Sequence, residues 1–324
     1  MAITLARNYN NLFDLVKGDD DRRPLIEVAQ KACPLIEDMP MQPGTEPSGN
    51  KTKLRTKYPR GSWTGLYEGV DDSKSEVSEV TDDCGNLEDY LTIDQKELHL
   101  AKDKVKLIAD EEKGFIIGLS STVEENAFYG KKNGKSFTGL AARYNTTDKS
   151  KDIGRYVIDA GGKTVGAQAS IYFVIWSPLT VYGFHGANAP AGLAKTPKGI
   201  ITTTAPKNGK KMEGYVEHFN WNVGLAVSDY RSVVRIANID MNNIEALDLD
   251  SLLIKAFGRI KNKTMGSGMI YMSEDVKTAI DLGRNKKSNV LFQPVMWNGN
   301  EIEGWRGFGI RTSDMLLSTE DVVA

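Results

Sequence analysis

The feature that most constrains the fold is a strict alternation in HFNWNVGLAVSDY, residues 218–230. Large apolar side chains alternate there with small or polar ones. The large residues are Phe219, Trp221, Val223, Leu225 and Val227, and those between them are Asn220, Asn222, Gly224, Ala226 and Ser228. Successive side chains of a β-strand point to opposite faces. We therefore expect a strand whose apolar face packs on the core and whose thin face is approached closely by a helix or another layer.

Composition places the chain among globular proteins and excludes several kinds of site. It has 324 residues, enough for about two domains, with 40% hydrophobic and 26% charged residues. The formal net charge of -2 gives no overall basic excess of the kind that proteins binding DNA phosphates usually carry. Only Cys33 and Cys84 are cysteines, and His99, His185 and His218 are far apart in sequence. We expect no disulfide framework, no metal site and no cofactor.

Two absences favour a soluble chain made inside the cell. The N-terminal segment has no continuous apolar stretch of the secretory type. No run reaches the roughly 20 apolar residues that cross a membrane.

A long helix is predicted between residues 94 and 129. Thr92 with Gln95, or Asp94 with Glu97, forms a plausible capping box at its start. An apolar stripe at helical spacing follows, made of Leu98, Ala101, Val105, Ile108, Phe115, Leu119 and Val123. One long helix lying across a sheet fits this stripe better than a coiled coil, because Glu112 interrupts it.

Shorter helices and strands fill the rest of the chain, which indicates a mixed α+β protein. A short helix is expected from Leu25 to Ala32 after Pro24. Strands are expected in ASIYFVIW (169–176), GMIYMS (268–273) and GFGIRTSDMLL (307–317), and helices in ALDLDSLLIKAFGRI (246–260) and from Ser273 to about Asp281.

A charged hairpin is predicted between residues 51 and 89. KTKLRTKYPR (51–60) is basic, with Lys53, Arg55 and Lys57 on one face, whereas residues 71–89 carry eight carboxylates and SEVSEV alternates like a second strand. One interpretation is a solvated hairpin with cross-strand ion pairs. The other is a projecting tongue whose charges and aromatic residues meet another subunit. The candidate interface residues are Lys53, Arg55, Lys57, Tyr58, Trp63, Tyr67, Glu76 and Glu79.

The motifs of common enzymes fail in this chain. AGGKTVG (160–166) resembles a phosphate-binding loop, but the required first glycine is replaced by Val157. No GxSxG, HExxH or GxGxxG occurs. We therefore expect no catalytic residues, and a nucleotide-binding enzyme remains only a minor alternative.

Several dispersed stretches resemble the major capsid proteins of tailed double-stranded-DNA bacteriophages, the Hong Kong 97-type shell proteins. They are EDMPMQPG, YPRGSWTGLYEGVDDSKSEV, CGNLEDYLTID, FTGLAARY, VIDAGG, EHFNWNVGLAVSDYRSVVRIANID, KSNV and RTSDMLLSTE. Each is short, but together they span nearly the whole chain in a fixed order.

The resemblance implies a Hong Kong 97-like capsid fold with a defined division of the chain. It assigns residues 1–44 to an N-terminal arm, 45–93 to an extended loop, 94–145 to a peripheral domain with a spine helix, 146–300 to an axial domain, and 301–324 to the return to the peripheral domain.

It also implies a function and a set of partners. The chain would self-assemble as pentamers and hexamers into an icosahedral phage head, made in the cytoplasm of a bacterial host. Scaffold, portal and decoration proteins would be partners, and the packaged DNA would be enclosed without sequence-specific binding. A cellular nanocompartment shell of the same fold is the alternative, and cargo-docking peptides without a genome would distinguish it. Some relatives join their subunits by lysine–asparagine isopeptide bonds. The three residues that this cross-link requires cannot be matched in this sequence.

Overall fold

The computed structural model describes residues 33–131, 133, 135–205, 209–285, 293–297 and 300–324. The helix predicted for 25–32 lies outside these residues. The chain forms two compact units. In its described part, the first comprises residues 87–120 and 193–221, and the second comprises 33–86, 121–192 and 222–324 with the gaps given above.

The first unit combines a strand ladder with part of a long helix. Strand β8 (Leu193–Thr204) pairs antiparallel with β9 (Lys211–Val227), from Leu193 opposite Trp221 to Thr204 opposite Lys211. Strand β4 (Gly85–Asp94) lies on the other side of β9. Helix α3 (Lys104–Tyr129) packs on this ladder, since the ring of Phe115 stacks 5.8 Å from that of Phe219. A helix lying across a sheet is therefore confirmed.

The helix predicted as continuous from residue 94 is two helices. Asp94 caps α2 (Gln95–Leu100) by accepting the amide hydrogen of Lys96, as expected. The chain then leaves the helical conformation at Ala101, and Asp103 accepts from the amides of Val105 and Lys106 at the start of α3. An aspartate in this N-cap position favours the start of a new helix. Val105, predicted within the apolar stripe, is consequently exposed.

The second unit is built on a mixed sheet. Strand β6 (Gln168–Trp176), buried along its whole length, lies between β10 (Val233–Asp240) and β11 (Ser267–Met272), antiparallel to both. Strand β5 (Val157–Asp159) extends the sheet beside β10, and β14 (Phe308–Thr312), β13 (Asn300–Trp305) and β12 (Gln293–Trp297) extend it beyond β11. The predicted strands of this region are confirmed.

Helices cover both faces of that sheet. Helix α5 (Leu249–Arg259) and helix α6 (Glu274–Asn285) pack apolar side chains such as Leu253 and Val276 against Phe173 and its neighbours. On the opposite face, Phe128 from the end of α3 lies 5.4 Å from the ring of Tyr172. Burial of this core on both sides agrees with the continuous apolar run in β6. The predicted α+β class is confirmed.

At Gly224 the thin face of β9 is approached by a side chain from the neighbouring strand of the same sheet, where a helix or another layer was predicted. All five large residues of the alternation are buried, as predicted. Strand β7 (Val181–His185) pairs with the end of β9, and Phe184 lies opposite Gly224. A Cβ atom on Gly224 would lie 2.5 Å from the Phe184 ring. The small residues thus allow close approach, and the approaching group is an aromatic ring from β7.

The remaining short elements tie the start of the described chain to this body. Helix α1 (Pro34–Asp38) precedes β1 (Met41–Pro43), which pairs parallel with β7. Helix α4 (Leu140–Arg143) follows α3. Strands β2 (Gly49–Lys57) and β3 (Glu76–Asp83) form an antiparallel two-stranded sheet of their own, and this hairpin carries the candidate site.

Candidate subunit interface on the hairpin

Buried polar contacts fix the base of the hairpin. Asn50 donates from its side-chain amide to the hydroxyl of Tyr182 at 2.9 Å. The hydroxyls of Thr52 and Ser228 lie 3.3 Å apart. Asn50 is almost fully buried, so these bonds satisfy a side chain that would otherwise be costly to remove from water.

An ion pair fixes the second strand of the base. Arg143 donates to Asp82 at 2.7 Å and also to the backbone oxygens of Leu225 at 3.0 Å and Thr138 at 3.2 Å. Asp82 is buried and Arg143 is mostly buried. A guanidinium bound in three directions holds the root of β3 in one position. The base of the hairpin is therefore held in place on both of its strands.

Beyond the base, the hairpin presents one charged face. Lys53 lies opposite Glu79, Arg55 lies opposite Val77, and Lys57 pairs with Glu76 after a bulge. The Lys57 ammonium lies 2.8 Å from the Glu76 carboxylate, and this hydrogen bond raises the pKa of Lys57. The cross-strand ion pair of the first interpretation is thus present at this position. Both side chains are largely exposed, so it contributes little to stability.

The segment that joins the two strands is exposed throughout. Residues 58–75 have no helix or strand, and each is exposed to solvent. Trp63 and Tyr67 are fully exposed, and Leu66 is 91% exposed. Single exposed apolar residues are common on soluble proteins, but a contiguous group indicates an interaction surface.

The structure brings all eight predicted residues into one hairpin. The basic residues Lys53, Arg55 and Lys57 lie on β2, and Glu76 and Glu79 lie on β3. The three aromatic residues lie in the connecting segment. Leu66 and Val70 are also exposed there and were not singled out from the sequence. Their closeness in sequence to Trp63 and Tyr67 could have identified them as candidates.

Sequence reasoning missed a buried polar network in the second unit. Arg235 donates to Glu320 at 2.7 Å, to Ser170 at 3.0 Å and to the backbone oxygen of Tyr144 at 2.9 Å. Tyr129 donates to the same carboxylate at 2.6 Å. Burial raises the pKa of Tyr129, so it remains a neutral donor. This network joins the C-terminal segment to β6 and β10, and it is structural.

The other candidate chemistries gain no support in the described part of the chain. No three His, Cys, Asp or Glu side chains among the described residues are grouped as metal ligands. His218 lies 3.3 Å from Glu88 and stacks on Tyr90, an arrangement that supplies no nucleophile. No described helix is both long enough and apolar enough to span a membrane.

The fold belongs to the Hong Kong 97-like class of viral shell proteins. A capsid structure of bacteriophage Epsilon15 matches with a TM-score of 0.74 and 21% sequence identity, covering 100% of both chains. Two other structures are more distant, each with a TM-score of 0.48 and 8% identity. One is the bacteriophage JBD30 capsid, where the match covers 87% of this chain and 90% of that one. The other is the SrpI encapsulin complex of Synechococcus elongatus PCC 7942, where it covers 72% of this chain and 97% of that one. No curated protein sequence matches the chain.

The family of the chain is established directly. The model of the family Major capsid protein GP7 matches residues 17–324, and the protein belongs to that family. It is a structural component of a phage capsid shell and not an enzyme.

Proposed function

We propose that the hairpin lies over an adjacent subunit when the protein assembles into an icosahedral phage head of pentamers and hexamers. The proposal rests on the contrast between the buried contacts at the base of the hairpin and the exposure of its outer part. Its base is held by buried hydrogen bonds and an ion pair, whereas its charged face and residues 58–75 are exposed. An isolated two-stranded hairpin is marginally stable in water, so a partner surface would stabilise this one.

The predicted division of the chain belongs to the same proposal. Residues 1–44 act as an arm, 45–93 as the extended loop, 94–145 and 301–324 as the peripheral domain, and 146–300 as the axial domain. Scaffold, portal and decoration proteins join the assembly in the cytoplasm of a bacterial host, and the finished shell encloses double-stranded DNA. The arm and the extended loop reach neighbouring subunits, which repeat one set of contacts throughout the shell.

Charge reversal on β2 tests the interface. In the triple variant Lys53→Glu, Arg55→Glu, Lys57→Glu, we expect an unchanged circular dichroism spectrum and unchanged unfolding, because the three side chains are exposed. Light scattering and electron microscopy should show few or no shells, even with any required assembly partner present. Normal shell yield from the triple variant would refute the interface.

A further inference from the structure

A basic groove in the second unit has no role in the hairpin interface. It has a volume of about 420 Å³ and is lined by Lys149, Arg155, Tyr156, Gly258, Arg259 and Lys261. Four of these residues are cationic and none is acidic. The overall charge of -2 conceals this local excess.

The four cations have no carboxylate partner within 4.0 Å among the described residues. Five arginines elsewhere in the same unit are paired with carboxylates. Arg143 binds Asp82, Arg231 binds Asp229, Arg235 binds Glu320, Arg284 binds Asp250 and Arg311 binds Asp38. Like charges left together without anions repel one another, so this groove favours an external anion.

Two of the three nearby acidic residues are already hydrogen-bonded or ion-paired. Asp148 accepts hydrogen bonds from the amide and hydroxyl of Ser150. Asp229 is bound by both Arg231 and Asn262. Asp152 is exposed on the same turn. None of the three lines the groove.

Backbone contacts hold the two guanidinium groups in place. Arg259 donates from one terminal nitrogen to the backbone oxygens of Val157 at 3.0 Å and Arg155 at 3.3 Å. Arg155 donates from its Nε to the oxygen of Lys149 at 3.4 Å. The other nitrogens of both groups remain available as donors, and a positioned guanidinium fork suits a phosphate group.

Two further cations extend the positive surface. The Lys263 ammonium lies 3.8 Å from the centre of the Phe257 ring, and the Arg306 guanidinium lies 4.9 Å from that of Trp305. Burial, and then the charges of Lys261 and Arg306, lower the pKa of Lys263. Lys263 and Arg306 therefore add positive charge close to Lys261.

We propose that this groove binds the phosphate backbone of nucleic acid, without reading its sequence. The inference deepens the proposed function, since the enclosed DNA would be the ligand in the assembled shell. Phosphate contacts of this kind give affinity and position but carry no base specificity. They also release counterions, so binding weakens as salt concentration rises.

Two matched triple variants test the proposal. The groove variant is Lys149→Gln, Arg155→Gln, Lys261→Gln. The control is Lys104→Gln, Lys106→Gln, Lys198→Gln, which removes the same charge from exposed lysines outside both the groove and the hairpin. Fluorescence anisotropy would measure binding of a labelled DNA duplex between 50 and 200 mM salt. We expect the wild-type protein and the control to bind alike. The groove variant should bind at least tenfold more weakly at low salt, and its slope of log affinity against log salt should decrease by about 0.9 per removed cation.

The outcomes separate this inference from the hairpin interface. No binding by the wild-type protein, or equal losses in both variants, would overturn the groove site. Tight binding of inorganic phosphate by the wild-type protein in calorimetry, together with no binding of the DNA duplex, would assign the groove to a free anion and also overturn the proposal. If the groove variant bound DNA normally but failed to assemble in light scattering, the groove would instead receive an acidic segment of a second copy. Normal assembly of a charge-reversed hairpin would refute only the interface.

Discussion

Glu124 lies in α3 near the helix end, with its carboxylate enclosed by the start of the described chain and the segment after β14. Leu35 donates its amide hydrogen to this carboxylate at 3.0 Å, and the Ser313 hydroxyl donates to the other oxygen. The side chain is fully buried, and Asp38 is a nearby negative charge. Burial raises the pKa of Glu124 to about 7, and Asp38 adds to this shift while the hydrogen bonds oppose it.

A raised carboxyl pKa makes the folded state less stable as pH increases. Below the unfolded value near 4.5 the group is neutral in both states and costs nothing. Between about pH 4.5 and 7 the unfolded state ionises first, and above pH 7 the penalty is complete at about 3 kcal/mol.

We predict that Glu124→Gln increases stability at pH 7.5 and has little effect at pH 4.5. The glutamine resembles the protonated acid, since its oxygen can accept from Leu35 and its amide can donate to Ser313. Urea unfolding of unassembled protein at both pH values gives the free energies to compare. An equal effect of the substitution at both pH values would contradict the role of Glu124 as the titrating group.

Buried charged residues such as Glu124 and Arg235, and their partners, could not be identified from sequence. Arg235 lies on β10, its partner Glu320 is 85 positions away, and both are buried. Local periodicity reports which face of an element is apolar, and it does not report which distant charge meets a given side chain. That the eight candidate residues share one hairpin was predictable, because they lie close together in sequence.

At the level of elements, periodicity predicted most of the sheet. The continuous apolar run of β6 and the alternation of β9 both required burial, and both are buried in the structure. The break between α2 and α3 was missed because the apolar stripe continues across it, while the capping function of Asp103 depends on local backbone geometry. The ring of Phe184 over Gly224 depends on strand register, which alternation alone leaves undetermined.

The Lys57–Glu76 pair allows the two interpretations of the hairpin to be separated. The variant Lys57→Glu places like charges opposite each other, and adding Glu76→Lys restores the pair with its charges exchanged. If the charges served only each other, the double variant would recover full assembly. We predict that the double variant remains impaired in light scattering, because a partner surface would meet the wrong charge at both positions. Unfolding of all variants should agree within about 0.5 kcal/mol, because exposed pairs contribute little.

Across the whole molecule, hydrophobic and polar burial stabilises the body, whereas the outer hairpin is left exposed. Nothing in the described protomer covers Trp63, Leu66 or Tyr67. In a closed shell each contact is repeated in every subunit, so individually weak contacts give a stable assembly. A contact of about 4 kcal/mol, which alone corresponds to millimolar binding, is sufficient in such an arrangement.

This arrangement predicts a specific effect of Trp63→Ala. Because the indole is fully exposed in the protomer, its removal should leave the unfolding free energy unchanged. A buried tryptophan at an interface contributes a large apolar area. A loss of only about 1.4 kcal/mol per contact would raise the protein concentration at which shells form by about tenfold, measured by light scattering across a dilution series. Leu179→Ala, which truncates a side chain that is 69% exposed between β6 and β7, is the control and should leave this threshold unchanged. If Trp63→Ala assembled at the wild-type threshold, the exposed tip of the hairpin would have no part in joining subunits, and the contacts of the shell would have to lie elsewhere on the molecule.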